Sequence, residues 1–436
     1  MDPRLRRARW LVLAVPSAIY VFSYFHRVAP AVVAGDLMRA FAITAAELGT
    51  LAAVYPYVFV AMALVAGSLA DTLGPRRTLA LGAAGMGAGA VLFGLAPTFS
   101  VAIGGRLVVS LGASVVLIAF LALAAEWFRP DEFATVSGLT QTVGNVGGLV
   151  AASPLALLVE AVGWRQSFVA IGAVTLALGA LPLVAIRDRP EAAGLPRVNP
   201  DRRRAPTLRE VARGIPSVIA NRRTWPPILA AGGVYATLIA FQGLWGVPYL
   251  VQRYDLPRVT AATLLSLIAV GLIVGAPLAG VVSDRWLGRR RRPFVASAAL
   301  YAACWLPLAV PALHPPVALL GPFFFLMGFF SSGLVLVWSC VREVNDPVLV
   351  GVAVGFCNAP IFLLFALTQW LTGVILDARW EGAIAAGVRL YPPAAWQAAF
   401  GVCLAVAVAG VVAAVLVTET RCRSVWRAGA EETAGS

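Results

Sequence analysis

Lysine is absent from this chain of 436 residues, and all 34 of its basic residues are arginine. Acidic residues number 21 and histidines two, so that charged residues make up 13% of the sequence against 60% hydrophobic. A chain so poor in charge cannot hide its apolar surface in a water-soluble core and must sit in lipid. The five cysteines, Cys304, Cys340, Cys357, Cys403 and Cys422, are scattered without the spacing of a metal site. Nor do cysteine and histidine supply a nucleophile beside a base, so an enzyme is not expected, and neither a cofactor nor a metal. The formal net charge of +13 is not a nucleic-acid signature. The arginines lie in the gaps between apolar runs, where membrane orientation explains them, and no groove-reading motif accompanies them.

Twelve runs are long enough to cross a hydrocarbon core of about 30 Å. They fall near 10–32, 45–70, 77–97, 100–126, 134–160, 165–186, 226–251, 260–283, 293–313, 316–341, 348–376 and 397–418. Lipid offers no partner to backbone N–H and C=O groups, so each run is expected to be helical. The first, preceded by Arg4, Arg6, Arg7 and Arg9, is too long for a secretory signal and reads as a retained span. With the N-terminus inside, 26 arginines face the cytoplasm and six the other side, which places both termini in the cytoplasm.

The one long gap, 187–224, is rich in proline and arginine and divides the chain. Residues 1–186 form an N-terminal six-helix half, 187–224 a cytoplasmic linker, 225–420 a C-terminal six-helix half and 421–436 a cytoplasmic tail. Inside the linker Leu208, Val211, Ala212, Ile215 and Ile219 recur at helical spacing, which predicts a short amphipathic helix on the membrane surface. Arg202, Arg203 and Arg204 before it suit either anionic lipid or plain inside-positive topology.

A hydrophilic turn is repeated once per half. Gly67-Ser68-Leu69-Ala70-Asp71-Thr72-Leu73-Gly74-Pro75-Arg76-Arg77 follows the second run, and Gly280-Val281-Val282-Ser283-Asp284-Arg285-Trp286-Leu287-Gly288-Arg289-Arg290 follows the eighth. Glycine permits a tight turn, a carboxylate suits a helix N-terminus or an arginine, and Arg76 and Arg77 can anchor at headgroups. Two six-span halves carrying this turn resemble the major facilitator superfamily of secondary transporters, along essentially the whole chain. Gly67, Leu69, Asp71, Gly74, Arg76 and Arg77 match the family's loop signature in order, and Thr72 departs from it where many members carry a basic residue. The resemblance implies an all-α integral membrane fold of twelve helices in the bacterial inner membrane. It also implies a cytoplasmic gate at Asp71, Arg76 and Arg77, with Asp284 in the weaker copy.

Ionisable residues inside spans are functional candidates, because each costs on the order of 3 kcal/mol to insert. Arg27, beside His26 in span one, and Arg106 in span four fall at one depth, roughly 10 Å to the periplasmic side of the midplane. Guanidinium forks bind carboxylate or phosphate, so two at one depth suggest an anion; snorkelling toward the headgroups is the blander account. Tyr24-Phe25-His26-Arg27, Arg106 with Ser110 and Gly112, and Gly163-Trp164-Arg165-Gln166-Ser167-Phe168 resemble motifs of the superfamily's anion:cation symporter branch. In that branch the span-one arginine is associated with organic-anion binding and nearby acids with proton coupling. Here His26 and Ala113 stand where those acids are expected. His26 is therefore the candidate coupling residue, with a hydrogen-bonded helix contact as its alternative role. Tyr24 joins the two arginines as candidate substrate contacts.

In the second half the candidate pocket lining is polar and aromatic: Gln242, Trp245 and Asn358 first, with Tyr249, Ser331, Ser332, Trp338, Gln369 and Trp370 behind them. Tyr249 and Trp370 equally suit an interfacial aromatic belt. The resulting expectation is a monomeric secondary transporter of a small, carboxylate-type organic anion, working by alternating access with protons as the candidate coupling ion. An exporter of lipophilic compounds is the first rival, although Gly144-Asn145-Val146-Gly147-Gly148 lacks the proline of the antiporter signature. A transporter-like sensor is the second.

Overall fold

The computed structural model describes residues 3–63, 65–196, 198, 208–347 and 349–426. In chain order the helices are α1 (Pro3–Val28), α2 (Pro30–Phe41), α3 (Ala45–Met62), α4 (Val65–Leu73), α5 (Pro75–Leu95), α6 (Phe99–Trp127), α7 (Pro130–Val150), α8 (Ser153–Val162) and α9 (Trp164–Ala185). They continue with α10 (Leu208–Ala220), α11 (Trp225–Ala240), α12 (Gly246–Tyr254), α13 (Arg258–Val281), α14 (Arg291–Ala303), α15 (Leu306–Ala309), α16 (Leu320–Ser331), α17 (Leu336–Val344), α18 (Val350–Ala378) and α19 (Pro393–Val415). The small hairpin of β1 (Ile384–Ala385) and β2 (Val388–Arg389) turns through Ala386 and Gly387, both at positive φ as a two-residue primed turn requires. Among the described residues the secondary structure is otherwise helical, as befits an all-α membrane protein.

Eleven helical stretches among the described residues are long and apolar enough to cross a membrane. The remaining run, expected over 293–313, is helical in two pieces, α14 and α15. Pro307 has no N–H for the carbonyl of Ala303, so the ladder stops and restarts there. Proline redirects other spans too. The first run does not continue to residue 32 as one helix, because Pro30 cannot donate to the carbonyl of His26; α1 ends at Val28 and α2 begins. Ahead of Pro248 the backbone widens into a π-helical turn, Phe241–Trp245, which relieves the same clash against the carbonyl of Leu244. Gly144 and Gly147, in contrast, lie against Tyr20 and Val21 and are packing positions; the bend follows them at Ala151 and Ala152.

The chain divides into two compact units, residues 1–33 with 54–208 and residues 34–53 with 209–436. In the first, Val12, Ile19, Tyr20, Tyr55, Phe120 and Trp127 are buried in one core. In the second, Phe241, Tyr249, Trp305, Trp396 and Phe400 pack ring against ring, with centroids 4.9–6.3 Å apart among the contacts of Phe241 and Tyr249. The expected linker helix is present as α10, with Val218 buried and Ile219 exposed. Arg202, Arg203 and Arg204, and the side chains of Leu208, Val211 and Ala212, lie outside the described residues.

Candidate functional site

Arg27 occupies the last turn of α1 because Pro30 ends that helix. The break has a chemical product. The carbonyl of His26, deprived of its helical donor, accepts a hydrogen bond from Nη1 of Arg106 on α6 instead. An arginine that must enter the membrane interior thus finds an acceptor made by a proline. Arg27 is 7% exposed and Arg106 3%.

Aromatic rings surround both guanidinium groups. The Arg27 carbon Cζ lies 4.4 Å from the ring centre of Tyr24, 5.6 Å from that of Tyr55 and 5.7 Å from that of Phe59. Arg106 Cζ lies 5.1 Å from the same Tyr55 ring. Tyr55 therefore serves two cations, and its ring is held in place: the hydroxyl donates to Ser23 O at 3.0 Å and Phe59 stacks on it at 4.6 Å. Each cation–π contact contributes on the order of 1–2 kcal/mol when desolvated. Ser110 returns its hydroxyl to Arg106 O, and Ser23 to the carbonyl of Ala113, where a carboxylate is expected from the branch motif.

His26 is 1% exposed and its ring meets Phe25 edge to face at 5.4 Å. Neither ring nitrogen has a hydrogen-bond partner among the described residues. The blander account of His26 as a hydrogen-bonded helix contact is therefore corrected. Arg165, from the third quoted motif, reaches the carbonyls of Gly94 and Ala96 and closes the C-terminal end of α5.

In the second unit, Gln242 is half-buried in the π turn and Asn358 is exposed on α18. Trp245 is 1% exposed, donates its indole N–H to Gln369 O at 3.2 Å and packs against Trp396. Tyr249 is equally buried, with its hydroxyl 3.3 Å from His314 Nε2, so it belongs to the packed interior and not to an aromatic belt. Trp370 is exposed.

The repeated turn holds its own half together. Asp188, three residues past α9, accepts the Arg76 backbone N–H at 2.7 Å and so caps the start of α5. Arg76 answers by donating to the carbonyls of Pro182 and Leu183 at the end of α9. Each charge meets the helix end of opposite polarity. Gly74 sits at φ 82, and a Cβ there would come within 2.8 Å of the Asp188 carboxylate, so only glycine admits the cap. Arg76 is thus a helix clamp in place of the expected headgroup anchor, while Arg77 is exposed; the side chain of Asp71 lies outside the described residues.

The second copy repeats the device with Glu419, four residues past α19, which accepts the N–H groups of Arg290 and Arg291 at the start of α14. Asp284 forms an ion pair with Arg290, which also binds Glu343 at 2.8 Å and Ser283 Oγ at 2.9 Å. Burial by itself lowers the Arg290 pKa, but its hydrogen bonds to Glu343 and Asp284 outweigh that and push it above the usual arginine range. For Glu419 burial raises the carboxyl, and the N–H groups of Arg290, Arg421 and Arg291 outweigh it and hold it below the ordinary value of 4.5. A depressed folded-state pKa contributes stability that is complete above the unfolded value and disappears as pH falls through the folded one. Melting of detergent-solubilised protein should accordingly lose part of its acid dependence below about pH 4.5 in Glu419→Gln; an unchanged acid limb contradicts the cap.

Sequence reasoning missed Tyr55, Phe59, Asp188, Glu343 and Glu419. Asp188 and Glu419 carry a signal in hindsight, each being an acid just past the last span of its half. Tyr55, Phe59 and Glu343 carry none, since only the fold brings them to their arginines.

The sequence model described as Major Facilitator Superfamily matches residues 17–344 and 239–433. The chain is 26% identical over 422 residues to the membrane sensor protein UhpC of Salmonella typhimurium, covering 89% of this chain and 91% of that one. It is 25% identical over 292 residues to the probable sulfoacetate transporter SauU of Cupriavidus necator, covering 64% and 66%. A probable hexose phosphate transport protein of Chlamydia trachomatis is 24% identical over 402 residues, covering 83% and 84%. Among solved structures, a bacterial homolog of the human lysosomal transporter Spinster, inward-facing and unoccupied, superposes with a TM-score of 0.76 at 18% identity, covering 97% of this chain and 98% of that one.

Proposed function

The chain belongs to the major facilitator superfamily, a family of membrane transporters and not of enzymes, and from that premise we propose that it carries a small organic anion across the bacterial inner membrane by alternating access, with both termini cytoplasmic. One observation carries the reading: two buried guanidinium groups, Arg27 and Arg106, share the ring of Tyr55 inside the first unit. Two positive charges gathered at one place in a membrane interior attract an anion and repel a lipophilic cation. This weighs against the drug-exporter rival. The names of two relatives, one for sulfoacetate and one for hexose phosphate, support small anions as the class.

The test is a thermal-shift screen of purified protein against sulfoacetate, hexose 6-phosphates, sugar acids, dicarboxylates and hydrophobic cations. A ligand that binds the folded state raises the melting temperature by mass action. Stabilisation by at least one anion and by none of the cations is expected; stabilisation by cations alone overturns the reading.

A sensor is the second reading, favoured by the likeness to UhpC over 89% of the chain. Flux separates the two, because a sensor binds the anion without moving it into liposomes. For a transporter, we assign proton coupling to His26, a titratable side chain next to Arg27 with neither ring nitrogen hydrogen-bonded among the described residues. Uptake by His26→Gln should no longer respond to an imposed proton gradient. A response equal to that of the native protein removes His26 from this role.

A further inference from the structure

Helix α3 passes from one unit to the other: its residues up to 53 belong to the second unit and those from 54 onward to the first. Its N-terminus is secured twice. Thr44 and Glu47 cap each other, Thr44 Oγ1 accepting the Glu47 N–H at 3.1 Å and Glu47 Oε2 the Thr44 N–H at 2.8 Å. That local exchange leaves the N–H groups of Ala45 and Ala46 without an acceptor in their own helix.

Asp377, in the last turn of α18, supplies it. Its Oδ1 accepts from Ala45 at 3.1 Å and its Oδ2 from Ala46 at 2.6 Å. An ionised carboxylate matches both the donors and the positive end of the helix dipole. The carboxylate is aimed by the Tyr391 hydroxyl at 3.0 Å and the Arg389 guanidinium at 3.1 Å, both on Oδ1. Gln252 in turn ties those two residues down, donating to Arg389 O and accepting from Tyr391 N, each at 3.1 Å. The approach is close. A Cβ on Gly373, one turn before Asp377, would fall 2.4 Å from Ala45 O.

Ten residues beyond Ala45 on the same helix stands Tyr55, about 15 Å along the axis. The ring that gathers Arg27 and Arg106 is therefore carried on the helix whose start Asp377 holds. We propose that Asp377 is a positioning residue for transport: its carboxylate latches the first turn of α3 and keeps the anion pocket closed to the periplasm until it lets go. The inference rests on the reading above, in which the start of α3 and the end of α18 both lie at the periplasmic surface. It adds a named release point to it.

The test needs no substrate. Ala52 is 2% exposed and belongs to the latched part of α3. A thiol placed there as Ala52→Cys, in right-side-out vesicles treated with a membrane-impermeant maleimide, reports opening from outside. Adding Asp377→Ala should speed its labelling by about tenfold or more, as the loss of two charge-assisted hydrogen bonds implies. The native buried thiols Cys340 and Cys357 serve as controls and should keep their labelling rates. An unchanged rate at the reporter overturns the proposal, and so does a rise shared with the buried cysteines, which would mark general loosening. Should Asp377→Ala not fold, Tyr391→Phe removes one hydroxyl from the same carboxylate and must raise reporter labelling too; no rise again overturns the latch. Failure of the anion reading would look different, since it would leave the reporter result intact while no anion shifts the melting temperature.

Discussion

Arg27→Ala is expected to weaken binding of the stabilising anion by at least about thirtyfold, the low end of the 2–5 kcal/mol cost of truncating one member of a buried charge pair. Arg27 is held over Tyr24, Tyr55 and Phe59. Its loss therefore leaves the aromatic walls standing and removes one of the two cations. Arg106→Ala should have a similar effect on affinity with a larger effect on folding, because Arg106 also satisfies the carbonyl that Pro30 leaves open. Binding isotherms of the anion found in the screen, read by the ligand-induced melting shift, check both. Equal affinity in native protein and Arg27→Ala would place the anion elsewhere.

Glu343→Ala should destabilise the fold by about 3–5 kcal/mol, the cost of leaving a buried charge without its partner. Glu343 and Arg290 are 3% and 4% exposed, and the carboxylate takes Nε and Nη2 of Arg290 together with the Thr420 hydroxyl. Asp284, the other partner of Arg290, has a side chain 57% exposed and cannot replace a buried counter-charge. Melting in detergent should fall by roughly 5 °C. The double variant Glu343→Leu/Arg290→Met should recover most of that loss, since a buried ion pair exchanged whole for apolar side chains is often neutral. A double variant as unstable as the single one would show that the pair does more than neutralise itself.

The spans were legible in the sequence because lipid imposes one rule on every residue of a crossing helix, and length with hydropathy reads that rule directly. The interruption at Pro307 escaped it, since hydropathy is blind to a missing N–H. Arg27 and Arg106 were legible for the converse reason, a charge in lipid being costly wherever it stands. Their company was not. Tyr55 and Phe59 look like any aromatic residues of an apolar run, and only helix packing turns their faces to the guanidinium groups. The roles of Arg76 and Asp188 depend on a turn meeting a helix end 106 to 112 positions away, a separation that no local pattern encodes.

The caps of Asp188 and Glu419 have a practical consequence. Asp188 fastens the start of α5 and Glu419 the start of α14, and each stands only three or four residues past a helix of its own unit, α9 or α19. Neither bond depends on the chain between residue 188 and α10 being unbroken. A gene cut in that stretch, with both fragments made in the same cell, is therefore expected to yield fragments whose caps form as they do in the intact chain, and protection of each fragment from added protease checks it.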